Sequence, residues 1–128
     1  MKKGLTGLII CIALFSAVAA WASSTKRFDP GTLQLRTFDQ VSLWEGRQIF
    51  QDSCKNCHFR GNDKNAPFLH TESKSMKAWN RVFYKKYPKC AKNGEWDNLD
   101  QEQLLLLNDY LYRYAADSYD PNDAADCG

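Results

Sequence analysis

Apolar residues recur at helical spacing in two stretches of this chain. Met76, Trp79, Val82 and Phe83 lie three or four positions apart, on one face of a predicted helix. Ser75 stands just ahead of them as an N-cap. Pro88, whose ring removes the amide proton and blocks the preceding turn, ends the run. Leu104, Leu107, Leu111 and Tyr114 make the second stripe, and Leu105 and Leu106 widen it. Asp100 and Gln103 form a capping box, so this helix is predicted to run from there to about Ala116. A third helix is predicted from near Ser42, where Ser42 and Glu45 offer another capping box and Leu43, Ile49 and Phe50 share one side.

The connecting segments read as loops. Arg60 to Lys64, with Gly61-Asn62-Asp63, is a turn-rich connector, and Ala66-Pro67-Phe68-Leu69-His70 is a short apolar segment. Lys89 to Trp96 is a loop, and Ser23 to Thr37 is an irregular lead-in with a turn at Asp29-Pro30-Gly31. No strand hairpin and no repeat is predicted. The fold class is all-α, a small domain of three or more helices.

The amino terminus has a different pattern. Lys2 and Lys3 precede an apolar run from Leu5 to Ala20, and Ala20-Trp21-Ala22 is a small-x-small cleavage site. The run is shorter than the about 20 residues of a membrane span. A signal peptide over 1–22 is expected, cleaved after Ala22, with no stable membrane anchor afterwards. Cys11 leaves with it. The mature protein is then periplasmic or otherwise extracytoplasmic, where disulfides persist. The remaining 106 of 128 residues suffice for one small domain. They divide into an N-terminal extension (23–41), a helical domain (42–117) and an acidic tail (118–128).

Charge changes the picture through its distribution. The chain has 17 basic and 15 acidic residues, and loss of Lys2 and Lys3 leaves 15 of each. Between Lys74 and Lys92 there are seven basic residues and no acidic ones, whereas Glu95 to Asp126 holds nine acidic residues and one basic, Arg113. The basic stretch is either a docking surface for an acidic partner or a solvated face that offsets the acidic half. A neutral, exported chain is not a nucleic-acid binder. Asp117, Asp120, Asp123 and Asp126 lack EF-hand spacing and read as a solubilising tail.

Candidate chemistry concentrates at Cys54-Lys55-Asn56-Cys57-His58, a C-x-x-C-H sequence. This is the attachment pattern of a c-type haem: two thiols form thioethers to the vinyl groups of one haem, and the next histidine ligates the iron. A zinc site needs a second pair of ligands, and a redox dithiol belongs in a βαβ setting; neither is present. One haem c is therefore expected, held through Cys54 and Cys57, with His58 as proximal ligand. Of the other mature cysteines, Cys90 and Cys127 form a candidate disulfide, with about 3 to 4 kcal/mol of chain-entropy stabilisation. The alternative for Cys90 is a free thiol or an iron ligand. Trp79 and Trp96 read as core residues or as walls of a haem pocket.

Gly46-Arg47-Gln48-Ile49-Phe50-Gln51-Asp52-Ser53-Cys54-Lys55-Asn56-Cys57-His58 resembles the class I cytochrome c family, which places a small residue eight positions, and an aromatic four, before the first cysteine. Leu107, Tyr110 and Leu111 resemble the leucine and aromatic–leucine pair of the family's last helix. The resemblance covers roughly residues 42–116. It implies a cytochrome c-like fold wrapped around one covalently bound haem. It also implies that Tyr110 fills a close helix crossing at Gly46, and that the Pro67 carbonyl accepts a hydrogen bond from His58. The departure is distal. The family places a methionine in the loop before the last helix, and residues 88–94 hold none. Met76 is the candidate distal ligand, with His70 and Asn93 as alternatives. Some relatives carry a non-methionine ligand and a disulfide near that loop. The resemblance implies a single-electron carrier serving redox protein partners, with no catalytic residues of its own. Two other readings stay open: a small-ligand haem protein with a labile sixth position, and the haem subunit of a larger oxidoreductase.

Overall fold

A computed structural model describes residues 25–118. The predicted signal peptide with Cys11, and most of the acidic tail with Cys127, lie outside the described residues. The described part opens with an antiparallel hairpin, β1 (Lys26–Asp29) and β2 (Gln34–Thr37), in which Phe28 faces Leu35. This corrects the irregular lead-in. The pattern is inverted relative to an ordinary amphipathic strand: Arg27 and Asp29 point inward and are buried, while Phe28 and Leu35 are exposed. Asp29 also closes the turn, its carboxylate accepting from Thr32 N at 2.8 Å and from Thr32 Oγ1 at 3.0 Å.

Helix α1 (Gln40–Ile49) starts at Asp39, whose side chain accepts from Ser42 N, while Ser42 Oγ accepts from Asp39 N. The capping box thus begins three residues earlier than predicted, and Ser42 serves as its partner at the third helical position. α1 continues into a π-helical turn, Phe50–Cys54, closed by Lys55 N donating to Phe50 O at 3.0 Å. Helix α2 (Met76–Lys85) follows the Ser75 cap as predicted. It stops because Lys86 adopts the left-handed conformation, φ 46°, two residues ahead of Pro88. A short helix, α3 (Lys89–Lys92), occupies the predicted loop. Helix α4 (Gln101–Arg113) has the Asp100–Gln103 box and ends three residues before Ala116. Beyond it, Ala116 N donates to Lys74 O at 3.0 Å and Met76 N donates to Asp117 Oδ1 at 2.7 Å, so the chain turns back onto the start of α2.

The core gathers Phe50, Trp79, Val82, Leu107 and Leu111 from α1's extension, α2 and α4, with Ala115 from the turn just after α4. α1 and α4 cross at Gly46, where a Cβ would strike the Leu106 carbonyl and lie 2.7 Å from Tyr110 Cβ. Only glycine permits this approach.

The hairpin is fastened to the helices by ions rather than oil. Arg27 is 1% exposed. Its Nε donates to Asp109 at 2.5 Å, one Nη donates to Asp29 at 2.6 Å, and the other donates to the Leu105 carbonyl at 3.2 Å. Arg36 donates to the second oxygen of Asp109 at 2.8 Å and to Glu102 at 2.9 Å. Each buried charge therefore has its counter-charge, as burial demands.

Candidate functional site

The π turn delivers Cys54 to the edge of the core, and one further turn, with His58 N donating to Cys54 O at 2.9 Å, carries the chain to the histidine. Lys55 braces this turn, its Nζ donating to Leu69 O at 2.9 Å. Asn62 ties the following loop by donating to the Phe59 and Ala66 carbonyls, at 2.8 and 2.7 Å. The loop thereby brings Pro67 back to the histidine. His58 Nδ1 donates to the Pro67 carbonyl at 2.7 Å. That bond fixes the tautomer, leaving the Nε2 lone pair as the ring's free donor to a metal.

Cys54, Cys57, His58 and Pro67 all line one cavity of about 210 Å³. The walls are predominantly apolar. Leu69, Trp79, Val82, Phe83, Trp96 and Leu111 come from the core side, with Tyr87, Pro88 and Cys90 from the segment around α3. Trp79 is held by its indole N–H donating to Thr71 O at 2.7 Å, and Trp96 stacks on Phe83 with centroids 5.1 Å apart. Both tryptophans thus belong to core and cavity wall at once.

Burial pushes the Cys54 thiol up to about 12, with the thiols of Cys90 and Cys57 adding to the effect. The Cys54 sulfur is therefore an uncharged group in an apolar wall, unlike the depressed thiolate of a redox dithiol. Lys64 Nζ lies 3.3 Å from Cys57 Sγ, and this contact raises the lysine's pKa.

The donor set and the wall suit a haem. Two thiols and a histidine with a free Nε2 edge a predominantly apolar cavity. Three of the sequence-predicted iron-ligand candidates lie elsewhere. Met76 is partly buried against the core, outside the cavity lining. His70 is exposed, caps the Thr71–Ser73 turn and accepts from Glu72 N at 3.2 Å. Asn93 is exposed at the end of α3. Cys90, in contrast, is in the wall. Its proposed disulfide partner, Cys127, lies outside the described residues. Tyr87 and Leu69 are lining residues that helical periodicity did not single out, because both sit in connectors.

The basic stretch spreads over α2 and α3, with Lys77, Arg81, Lys85, Lys86, Lys89 and Lys92 exposed. Among the described residues no helix is long and apolar enough to cross a membrane.

Two curated relatives are similar to this chain. Both are called cytochrome c-550-like protein, one from Thermosynechococcus vestitus and one from Thermostichus vulcanus. Each is 29% identical over an alignment of 101 residues, covering 65% of this chain and 57% of the relative. The chain thus spans little more than half the length of these relatives. No family model and no solved structure matches it.

Proposed function

We propose that this chain is an extracytoplasmic, monohaem c-type cytochrome that carries single electrons between redox proteins. The observation that carries the reading is the cavity edged by Cys54, Cys57 and His58, with the histidine ring oriented by the Pro67 carbonyl. The similarity to two cytochrome c-550-like proteins supports it. The haem supplies one-electron chemistry at its iron. The protein's part is to hold it covalently through the two cysteines, set the axial ligand and keep water away with the apolar wall. The Pro67 acceptor makes the imidazole a stronger donor, which favours the oxidised iron. The sequence offers no nucleophile–base pair for independent catalysis.

Redox partners with acidic faces are proposed to dock near Lys74–Lys92, where exposed cations give steering that salt weakens. The signal peptide over 1–22 is part of the same proposal, because haem attachment to C-x-x-C-H takes place outside the bacterial cytoplasm. A second reading, a haem protein that takes small ligands at an exchangeable sixth position, is favoured by one observation: Met76, His70 and Asn93 all lie off the cavity wall.

The test is expression with a haem-attachment apparatus, followed by acid–acetone extraction and intact mass. Haem retained on the protein, and lost in the Cys54→Ala plus Cys57→Ala variant, is the expected result. Haem that extracts freely from the unaltered chain overturns the assignment. Reversible one-electron reduction without carbon monoxide binding then supports electron carriage, whereas ready carbon monoxide binding supports the second reading.

A further inference from the structure

The geometry points to Cys90 as the sixth ligand of the iron, a thiolate in the wall of the cavity that His58 also lines. This rests on the haem reading above and adds to it the identity of the distal ligand. The chain departs from the class I pattern by lacking a methionine in residues 88–94, and Cys90 is in that segment. It reaches the site because of its local structure. Pro88, itself in the cavity wall, caps α3 with φ −61°, and Gly94, φ +84°, turns the chain away after it. Glu95 N donates to the Cys90 carbonyl at 3.1 Å and holds that turn closed. The result is a half-buried sulfur in the same wall as Cys54 and Cys57.

The other donors of the wall are less suited. The sulfurs of Cys54 and Cys57 are taken up by the vinyl groups. Lys74 Nζ lies over the Trp79 ring, 5.9 Å from its centroid, and is a cation. Tyr87 is exposed, with Arg81 over its ring at 5.5 Å. Ser53 and Glu95 are exposed hard-oxygen donors. A thiolate is the soft, electron-rich ligand among them and binds ferric iron well. Ligation releases the Cys90 thiol proton to solvent and leaves the iron's oxidation state unchanged. It also takes Cys90 out of any disulfide with Cys127. An anionic sulfur donor stabilises the ferric state, so the reduction potential falls below that of a thioether-ligated haem.

The experiment uses the full holoprotein, with electron paramagnetic resonance and visible spectra of the ferric form. Unaltered protein is expected to show a low-spin haem with thiolate ligation. Cys90→Ala is expected to lose that signal and to bind carbon monoxide readily when reduced. Cys90→Met is expected to restore a low-spin iron with a thioether charge-transfer band and a higher potential. A spectrum unchanged in Cys90→Ala overturns the assignment. So does peptide mapping that recovers Cys90 linked to Cys127 in the low-spin holoprotein. If the variants do not accumulate, the spectrum of the unaltered protein decides by itself, because thioether and bis-imidazole haems differ from a thiolate one. Absence of covalent haem overturns the haem reading together with the ligand. Covalent haem with an iron indifferent to Cys90 overturns the ligand alone.

Discussion

Tyr110 lies against Gly46 at the crossing of the first and last helices, with its Cβ 2.7 Å from where a glycine Cβ would stand. The ring continues the contact toward the motif, its centroid 6.0 Å from that of Phe50. A missing side chain on one helix and an aromatic on the other thus set the distance between two helices that both reach the site.

Gly46→Ala is expected to destabilise the fold despite the better helix propensity of alanine. The added carbon meets backbone at Leu106, which moves only with the whole of α4. Overpacking of this kind costs about 1–3 kcal/mol, against a propensity gain of at most about 1 kcal/mol. Urea unfolding of the variant should show a lower midpoint with an unchanged slope. An unshifted midpoint would mean the helices can part without cost.

Arg27→Met should cost about 3–5 kcal/mol, because it leaves Asp29 and Asp109 buried with one counter-charge fewer. Asp109 keeps Arg36 at 2.8 Å, so the hairpin should loosen before the helices melt. Hydrogen exchange that rises first in residues 26–37 is the expected signature.

Much of the helical fold was legible because α2 and α4 obey simple rules. Ser75 and Asp100 cap where a polar residue precedes an apolar stripe, and the stripes of Trp79–Val82 and Leu107–Leu111 are the buried ones. The hairpin was illegible because its buried face is ionic: Arg27 and Asp29 look like surface, and Phe28 and Leu35 look like core. Asp39 was overlooked as a cap because Ser42, three residues on, satisfies the same rule. The motif Cys54-x-x-Cys57-His58 announced itself from local spacing alone. For Cys90 the sequence left disulfide, free thiol and iron ligand open, since which sulfur shares the cavity depends on the packing of α3, a four-residue helix with no periodicity to read.

The Asp29 carboxyl should make stability fall in acid. Burial opposes its ionisation, but hydrogen bonds from Arg27 and Thr32 outweigh that and hold its pKa below the ordinary 3.8. The folded state then binds fewer protons than the unfolded one, so the contribution is complete above the unfolded value and fades as pH falls through the folded one. The stability gap between the unaltered protein and Asp29→Asn should be largest near neutrality and shrink below about pH 4. A gap independent of pH would show that the carboxylate charge is not the stabilising feature.

Pro67→Ala should leave the His58 contact in place, because the acceptor is a backbone carbonyl rather than a side chain. The change frees the unfolded chain at a cost of about 0.4–1 kcal/mol. On the haem reading, the spectrum should match the unaltered protein, while His58→Ala should retain covalent haem and lose its axial nitrogen. A Pro67→Ala spectrum resembling that of His58→Ala would mean the ring, not the carbonyl, orients the histidine.

Cys54 stands eight positions after Gly46, and the π turn at Phe50–Cys54 inserts one extra residue into the last winding before the motif. Each residue of an α-helix advances the chain by about 100° around its axis. Gly46 is locked against Tyr110, so the direction in which Cys54 points is set by counting from that lock. Removing one residue between them, or straightening the π turn, would swing the thiol away from the cavity with every side chain of the site still present. The spacing is therefore a rotational setting, and the length of this segment is as much a part of the site as its cysteines.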